Sequence, residues 1–505
     1  MLCVTIGRSR HKAMIAEYKF LAEQGAELVE MRLDYIGRHI DLRRLLADRL
    51  CPVVITCRRR EDGGRWEKTE DERRMILRSA IASGVDFVDL EEDIAGGIPR
   101  YGSTKRIVSL HNFEETPQDL DEIHARLAAL DADVVKIATM ANSFSDCVRM
   151  LRMVEASTVP TIGLCMGDIG TLTRVMGLYY GSPFTYVALS SERKIAPGQV
   201  TFEAMRDIYR PDTINAETKI YGVVADPVAH SLSPHIHNAA FKHHNLNCRY
   251  LPFRVPADEL AFFLQWCRDF GVGGLSVTIP HKEAMLDLLT QVEAAAKGIG
   301  AVNTVAIDGL ETTGYNTDYR AAMDCLTEAL KTQGRAFGKS DEPVRDEDLF
   351  RGRIALVLGA GGAARAIAYG LRQRGALVSV ASRTEERAQQ LARDVGGRGL
   401  AWAHRYDIRP GILINCTPIG MHPDVNSTPY DKDRLHEQTI VFDTVYNPEN
   451  TLLVKDAHAA GCFVVNGLDM FVRQAAYQYK LFTGLEPPVQ LMRDTVKRII
   501  SPVRF

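Results

Sequence analysis

Three kinds of side chain in this sequence could run a reaction together. Lys136 stands inside "DADVVKIATM", flanked by Val134, Val135, Ile137 and Ala138. An ammonium group in an apolar strand is disfavoured, so burial there tunes a lysine toward a neutral, nucleophilic amine. The alternatives are a salt-bridge partner or a side chain that snorkels to a rim. His111 closes "RIVSLHN", and an imidazole moves protons near neutral pH. Arg58 follows "PVVITC" and Arg174 follows "PTIGLCM"; a guanidinium pairs bidentately with a carboxylate. The chemistry open to such a set is imine formation with the ketone of an anionic substrate. A protonated imine draws electrons from the next carbon, acidifies its C–H, and lets a β-hydroxyl leave once a base takes that proton.

A second group lies further on. "AHSLSPHIHN" sets Ser231 and Ser233 before Pro234, which also suits a helix start. "GLSVTIPHK" carries Thr278 and Lys282, and "AVNTV" and "GYNTDY" carry Asn303, Thr317 and Asp318. In "LGAGGAARA", Gly359, Gly361 and Gly362 follow the apolar run "IALVL" and precede a helical pattern. That strand–turn–helix context is a dinucleotide fingerprint of the form GxGxxA, with Ala364 third; a plain strand-to-helix turn is the alternative.

These residues need elements to position them. Eight short apolar runs recur in the first 200 residues, from "LCVTI" to "FTYVALS", with amphipathic segments such as "DERRMILRSAIASG" between them. Continuous apolar strands alternating with helices imply a parallel sheet, and eight such units predict a (β/α)8 barrel, with an open doubly wound sheet as the alternative. Barrel chemistry sits at the C-terminal ends of the strands. Glu30, Arg32, Arg58, His111, Lys136, Arg174 and Gln199 lie in or just after six of the runs, as one ring around a mouth. A polar connector at 208–220 ends this region, and a charged segment at 333–352 divides the remainder.

At 505 residues, 46% hydrophobic and 25% charged, the chain is globular and multidomain. Its 61 basic and 64 acidic residues leave a net charge of −3, which gives no pull toward nucleic acid or an anionic membrane. Ten scattered cysteines without a CxxC pair point to free thiols in a reducing cytoplasm. The start "MLCVTIGRSR" reads as a strand, and no apolar run reaches membrane-spanning length. His235, His237, His243 and His244 lack a second ligand set, so no metal is expected. The expected partners are small molecules, in a monomer or small homo-oligomer.

The first 210 residues resemble a type I 3-dehydroquinate dehydratase through "VEMRLDY", "ITCRRREDGG", "SLHNF", "VVKIATM" and "APGQ", in that order. The resemblance implies that Lys136 forms the imine and His111 is the general acid/base. It implies that Glu30, Arg32, Arg58, Arg174 and Gln199 bind substrate. Two positions depart from the family pattern. The family usually has Glu four residues after the arginine that matches Arg58; here Asp62 stands there, expected still to orient His111 with a side chain one bond shorter. A small residue commonly precedes "APGQ"; here it is Ile195, which removes a possible hydroxyl contact.

Residues 219–505 resemble shikimate dehydrogenase through "HSLSP", "SVTIPHK", "AVNT", "YNTD", "GAGGAARA", "NCTPIGM", "YNP" and "NGLDMFVRQA". This resemblance implies that Ser231 and Ser233 bind a substrate carboxylate, with Thr278, Asn303, Thr317, Asp318, Tyr446 and Gln474 completing the pocket. It makes Lys282 and Asp318 the catalytic pair. The cofactor side comprises Gly359, Ala360, Gly361, Gly362, Ala363 and Thr417, with Gly467 and Met470 at the nicotinamide. In "ALVSVASRTEER", the strand after the glycine turn ends in Ser382, Arg383 and Thr384, where an NAD site usually has a carboxylate. A guanidinium pairs with a 2′-phosphate, so NADP is the expected cofactor. Glu385 and Glu386 are expected in the first turn of the next helix, where acids suit the helix dipole.

The expected architecture is α/β throughout: a (β/α)8 barrel, then a two-lobed dehydrogenase with a Rossmann-type NADP domain. Its expected divisions are 1–212 for the barrel, 219–345 for the substrate lobe, completed by 480–505, and 346–479 for the NADP domain. The implied function is bifunctional: dehydration of 3-dehydroquinate, then reduction of the product to shikimate. An NAD-dependent catabolic quinate/shikimate dehydrogenase fused to a dehydratase, and a metabolite-sensing pseudoenzyme, are the alternatives.

Overall fold

The computed structural model describes residues 1–336 and 346–500. Residues 337–345 of the charged separator, and 501–505 of the segment expected to complete the substrate lobe, lie outside the described residues. The chain packs as two compact units, one of residues 1–218, 226–231 and 249–263, the other of the remaining described residues.

All eight apolar runs of the N-terminal region are strands: β1 Leu2–Ile6, β2 Leu28–Arg32, β3 Val53–Thr56, β4 Phe87–Glu91, β5 Lys105–Asn112, β6 Val134–Met140, β7 Thr161–Met166 and β8 Thr185–Ala188. They pair in parallel in the order β7-β6-β5-β4-β3-β2-β1-β8. Because β8 joins β1, the sheet curls round on itself as a near-barrel, open between β7 and β8. Cys3, Leu28, Val54, Ile107, Val134, Ala138, Ile162, Leu164, Phe184 and Tyr186 pack together inside the barrel. Residues two and four places further along these strands share that inward face.

A mixed six-stranded sheet follows: β9 Lys219–Ala225, β10 Cys248–Arg254, β11 Gly274–Val277, β12 Gln291–Val292, β13 Thr304–Asp308 and β14 Glu311–Tyr315, in the order β10-β9-β11-β13-β14-β12. The third sheet is parallel: β15 Ile354–Leu358, β16 Leu377–Ser382, β17 Arg398–Ala401, β18 Ile412–Asn415, β19 Ile440–Asp443 and β20 Phe463–Val465. Its order, β17-β16-β15-β18-β19-β20, is that of a doubly wound dinucleotide fold. Ala355 and Val357 of β15 pack into one core, and Leu356 and Leu358 into another, so both faces are covered. The expected division at 479/480 falls inside one uninterrupted helix, Gly467–Thr483.

Candidate active sites

Glu30, Arg32, Arg58, Asp62, His111, Lys136, Arg174 and Gln199 all line one cavity in the barrel. Ile195 lines it too. Lys136 is 6% exposed. Its Nζ donates to Asp89 Oδ2 at 3.0 Å and lies 4.1 Å from the centroid of the Tyr186 ring. The apolar surroundings read from the sequence are therefore only half of its environment. Val135 and Ile137 alternate to the other face of β6, while Asp89 reaches Lys136 from β4, two strands away.

Asp89 is the centre of a buried charge network. It accepts from Ser109 Oγ at 2.6 Å and pairs with Arg58 Nη2 at 2.7 Å. Arg58 also donates to Glu91 at 2.8 Å, and Glu91 accepts from the fully buried Arg73 at 2.7 Å. Burial alone would push the Asp89 carboxyl up. Arg58, then Lys136 and His111, outweigh burial and hold it well below the usual carboxylate range.

Burial, reinforced by Arg58 and Lys136, holds the His111 imidazole well below its ordinary 6.5. It is neutral at pH 7 and can accept a proton. Its Nδ1 is buried without a hydrogen-bond partner. Here the structure differs from the expectation that Asp62 orients His111. Asp62 accepts from Arg59 Nε, three residues back in the same turn. The shorter side chain is captured by its local guanidinium before it can reach the imidazole.

The remaining ring residues divide by partner. Arg32 donates twice to Asp34, at 2.9 Å each, and Glu30 accepts from Thr56 Oγ1 at 2.7 Å. Gln199 accepts from the backbone N–H groups of Ile195 and Ala196 at 2.7 and 3.3 Å, which fixes the end of that loop. Arg174 is different. It is 2% exposed, donates to the Pro197 carbonyl at 3.2 Å, leaves Nε unpartnered, and has no carboxylate partner among the described residues. Burial lowers its guanidinium to about 10. The cavity thus holds a desolvated cation without a counter-ion.

In the second unit, Lys282 Nζ lies 2.5 Å from Asp318 Oδ2. Asp318 is placed by the start of the helix Thr317–Ala336. Asn316 ties that start down, accepting from Tyr319 N and donating to the Ala301 carbonyl at 3.0 and 2.9 Å. Asn303 accepts from Thr317 N at 2.7 Å and donates to Thr317 Oγ1 at 3.0 Å. Thr278 is half-buried just past β11. Ser231 and Ser233 flank Leu232, which is the N-cap of the helix Ser233–His243, so neither serine is the cap. Tyr446 stacks on Phe471, 4.3 Å between centroids, and Gln474 donates to the Phe471 carbonyl at 2.9 Å.

The glycine turn joins β15 to the helix Gly362–Gln373. Gly359 has φ +108°, a conformation that favours glycine, and a Cβ there would meet the Cys416 carbonyl at 2.9 Å. A Cβ on Gly362 would come within 3.0 Å of Lys282 Cδ, so the turn and the lysine are neighbours. Ala360 and Ala363 are half-buried in the same turn. Thr417 follows β18; its N–H and Oγ1 donate to Asn415 Oδ1 at 2.9 and 2.7 Å. Gly467 opens its helix with no room for a Cβ against the Val445 carbonyl, and Met470 is buried one turn on. Arg383 and Thr384 are exposed beyond Ser382, and Arg383 makes no ion pair among the described residues. Glu385 and Glu386 occupy the first helical turn as expected, with Glu385 engaged by Gln389.

Several site residues escaped the sequence reading. Asp89, Glu91 and Ser109 are the partners of the barrel ring, and Gln478 donates to Thr304 Oγ1 at 3.1 Å beneath Asn303. Asp443 sits fully buried under Thr417. It accepts from Asn415 Nδ2 at 2.9 Å and Thr451 Oγ1 at 2.6 Å, and burial pushes its carboxyl up to about 6. His237, in the histidine cluster, is a core residue beside Phe241 and Phe482, and burial lowers it to about 3.

Residues 2–216 match the family Type I 3-dehydroquinase, and residues 223–305 match the Shikimate dehydrogenase substrate binding domain. Residues 467–497 match the Shikimate 5'-dehydrogenase C-terminal domain, and 353–446 match the family NADP oxidoreductase coenzyme F420-dependent. The bifunctional 3-dehydroquinate dehydratase/shikimate dehydrogenase, chloroplastic, of Arabidopsis thaliana is 38% identical over 508 residues, covering 97% of this chain and 83% of that protein. The chain belongs to this bifunctional family. The shikimate dehydrogenase (NADP(+)) of Methanopyrus kandleri is 40% identical over 298 residues, 56% of this chain and 97% of that one. A crystal structure of a shikimate dehydrogenase in complex with NADP+ aligns with a TM-score of 0.50 at 33% identity, covering 57% of this chain and 98% of that chain.

Proposed function

We propose that the barrel cavity dehydrates 3-dehydroquinate to 3-dehydroshikimate through an imine on Lys136, and that the second site reduces this product to shikimate with NADPH. One observation carries the first half. Lys136, a neutral His111 and the uncompensated cation Arg174 line the same cavity. A substrate carboxylate supplies the charge that Arg174 lacks.

In this reading Lys136 adds to the ketone carbon and water is lost, leaving a protonated imine. The imine withdraws electrons from the adjacent carbon. His111 takes the proton from that carbon and returns it to the departing hydroxyl, which leaves as water. Arg32 and Arg58, each already anchored by carboxylates, keep fixed positive edges around the ring.

At the second site, NADPH supplies a hydride when bound. The glycine turn fits such a cofactor: Gly361 caps the helix Gly362–Gln373 without a side-chain acceptor, which leaves the first helical N–H groups open to an anion. Arg383 suits a 2′-phosphate, Thr417 the other wall, and Gly467 and Met470 the nicotinamide. Lys282 gives a proton to the substrate oxygen and Asp318 holds the ammonium in place. Ser231 and Ser233 bind the carboxylate, with Thr278, Asn303, Thr317, Tyr446 and Gln474 around the ring.

The proposed divisions are 1–212, 219–345 with 480–505, and 346–479; matches over 2–216, 223–305 and 353–446 support the three main spans, and the match over 467–497 crosses the boundary at 479/480. The shared helix Gly467–Thr483 makes the last division a hand-over within one element. Among the described residues no helix is long and apolar enough to cross a membrane. The reading places the enzyme in a reducing cytoplasm. The test is product analysis from 3-dehydroquinate. Without NADPH, 3-dehydroshikimate accumulates; with NADPH, shikimate forms. No turnover, or shikimate formed equally well with NADH, overturns the reading.

A further inference from the structure

Four buried polar side-chain atoms without hydrogen-bond partners belong to residues that line the barrel cavity: Thr5 Oγ1, His111 Nδ1, Arg174 Nε and the Tyr186 hydroxyl. Native proteins leave few such atoms, because each costs stability. Four around one cavity mark hydrogen-bond positions for a bound molecule. His111 and Arg174 have roles in the reading above. Thr5 and Tyr186 do not.

Both are 3% exposed. β1 and β8 pair in parallel, with Cys3 opposite Tyr186, and Thr5 follows Cys3 on the same face. The two hydroxyl residues are therefore inward neighbours on adjacent strands. Tyr186 is also the ring against which Lys136 Nζ rests, 4.1 Å from the centroid. Burial raises its phenol well above 10, so the hydroxyl keeps its proton at neutral pH.

We propose that the Thr5 and Tyr186 hydroxyls bind the oxygen exchanged at the carbon attached to Lys136. That oxygen is the ketone oxygen as it becomes the hydroxyl of a carbinolamine, and later the water that adds to the product imine. The proposal rests on the reading of Lys136 as the imine-forming amine. The atoms balance: ketone and ammonium combine, the carbonyl oxygen leaves as water with two of the three ammonium protons, and the protonated C=N bond remains. Release runs the same step in reverse. A phenol and an alcohol each donate and accept, which suits an oxygen that is carbonyl, hydroxyl and water in turn.

The test uses the full chain with 3-dehydroshikimate in isotopically labelled water. Tyr186→Phe keeps the ring against Lys136, and Thr5→Val keeps the shape of the threonine. Exchange of label into the ketone oxygen falls about tenfold in each variant, on the scale of one lost hydrogen bond. Borohydride given time still traps the wild-type amount of Lys136 adduct, because the amine is untouched. Wild-type exchange in the double variant overturns the proposal. So does loss of adduct together with exchange, which would mark a collapsed cavity. No adduct on the wild-type enzyme would instead overturn the role of Lys136 beneath it.

Discussion

Replacing Asp89 by Asn keeps its shape and removes one buried charge. Asp89 accepts from three donors: Ser109 at 2.6 Å, Arg58 at 2.7 Å and Lys136 at 3.0 Å. An asparagine has one acceptor oxygen, so its NH2 group must face at least one of these donors. Arg58 retains Glu91. Lys136 loses the only carboxylate it pairs with among the described residues. Breaking a buried pair by removing one partner costs about 3–5 kcal/mol. For a barrel of this size each kcal/mol moves the midpoint by about 2–4 °C, so the barrel transition falls by about 10 °C. Calorimetry of the full chain reads this directly. The pH dependence carries a second signature. The folded carboxyl is held below its unfolded value, so its stabilisation is present above the unfolded range of about 4 and is lost as pH falls below that. The wild-type barrel therefore loses stability more steeply on acidification than Asp89→Asn does. A variant that melts within about 2 °C of wild type at pH 7 would show that Asp89 does not hold the network together.

Arg383→Ala raises the Michaelis constant for NADP sharply and leaves that for NAD nearly unchanged; steady-state kinetics with both cofactors checks it, and equal effects on the two contradict it. Asp62→Glu lengthens by one bond a carboxylate in the cavity that His111 also lines, so dehydration is retained or improved; a loss of more than about tenfold, or about 1.4 kcal/mol, shows a cavity built around the shorter side chain. Because His111 titrates well below 6.5, its neutral form persists on acidification, and kcat/KM for 3-dehydroquinate stays level as pH falls from 7 through 6.5. A midpoint at 6.5 in that profile assigns the base to an ordinary, solvated histidine. Asp443→Ala removes the support under Asn415 and Thr417, so the Michaelis constant for NADP rises while dehydration is unchanged; parallel loss of both activities counts against this.

Much of this architecture is legible in the residues. Eight apolar runs became eight strands because parallel strands buried on both faces must be apolar throughout. The glycine turn is readable because Gly359, Gly361 and Gly362 stand between the apolar run "IALVL" and a helical pattern, the context in which backbone approaches a pyrophosphate closely. The ring of site residues came from one rule, that barrel chemistry gathers at strand C-termini. What was hidden lay across strands. Asp89 meets Lys136 only because β4, β5 and β6 are neighbours in a fixed register, with Glu91 opposite Ser109 and Ser109 opposite Lys136. A signal existed: Asp89 and Glu91 alternate in "FVDLEE", which sets two acids on one face of a strand. Tyr186 in "FTYVALS" and Thr5 in "LCVTI" carry the same period-two signal. The capture of Asp62 by Arg59 is a competition between neighbours in "RRREDGG". A family pattern, which records only which residue usually stands at a position, does not reveal it.

The proposed dehydration begins with attack of Lys136 on the ketone. Borohydride added to the enzyme with 3-dehydroquinate, followed by digestion and mass spectrometry, tests it most directly. A reduced adduct is expected on the peptide that contains Lys136, absent in Lys136→Ala, whose shikimate oxidation persists. Dehydration that proceeds in the presence of borohydride with no adduct on that peptide would contradict it.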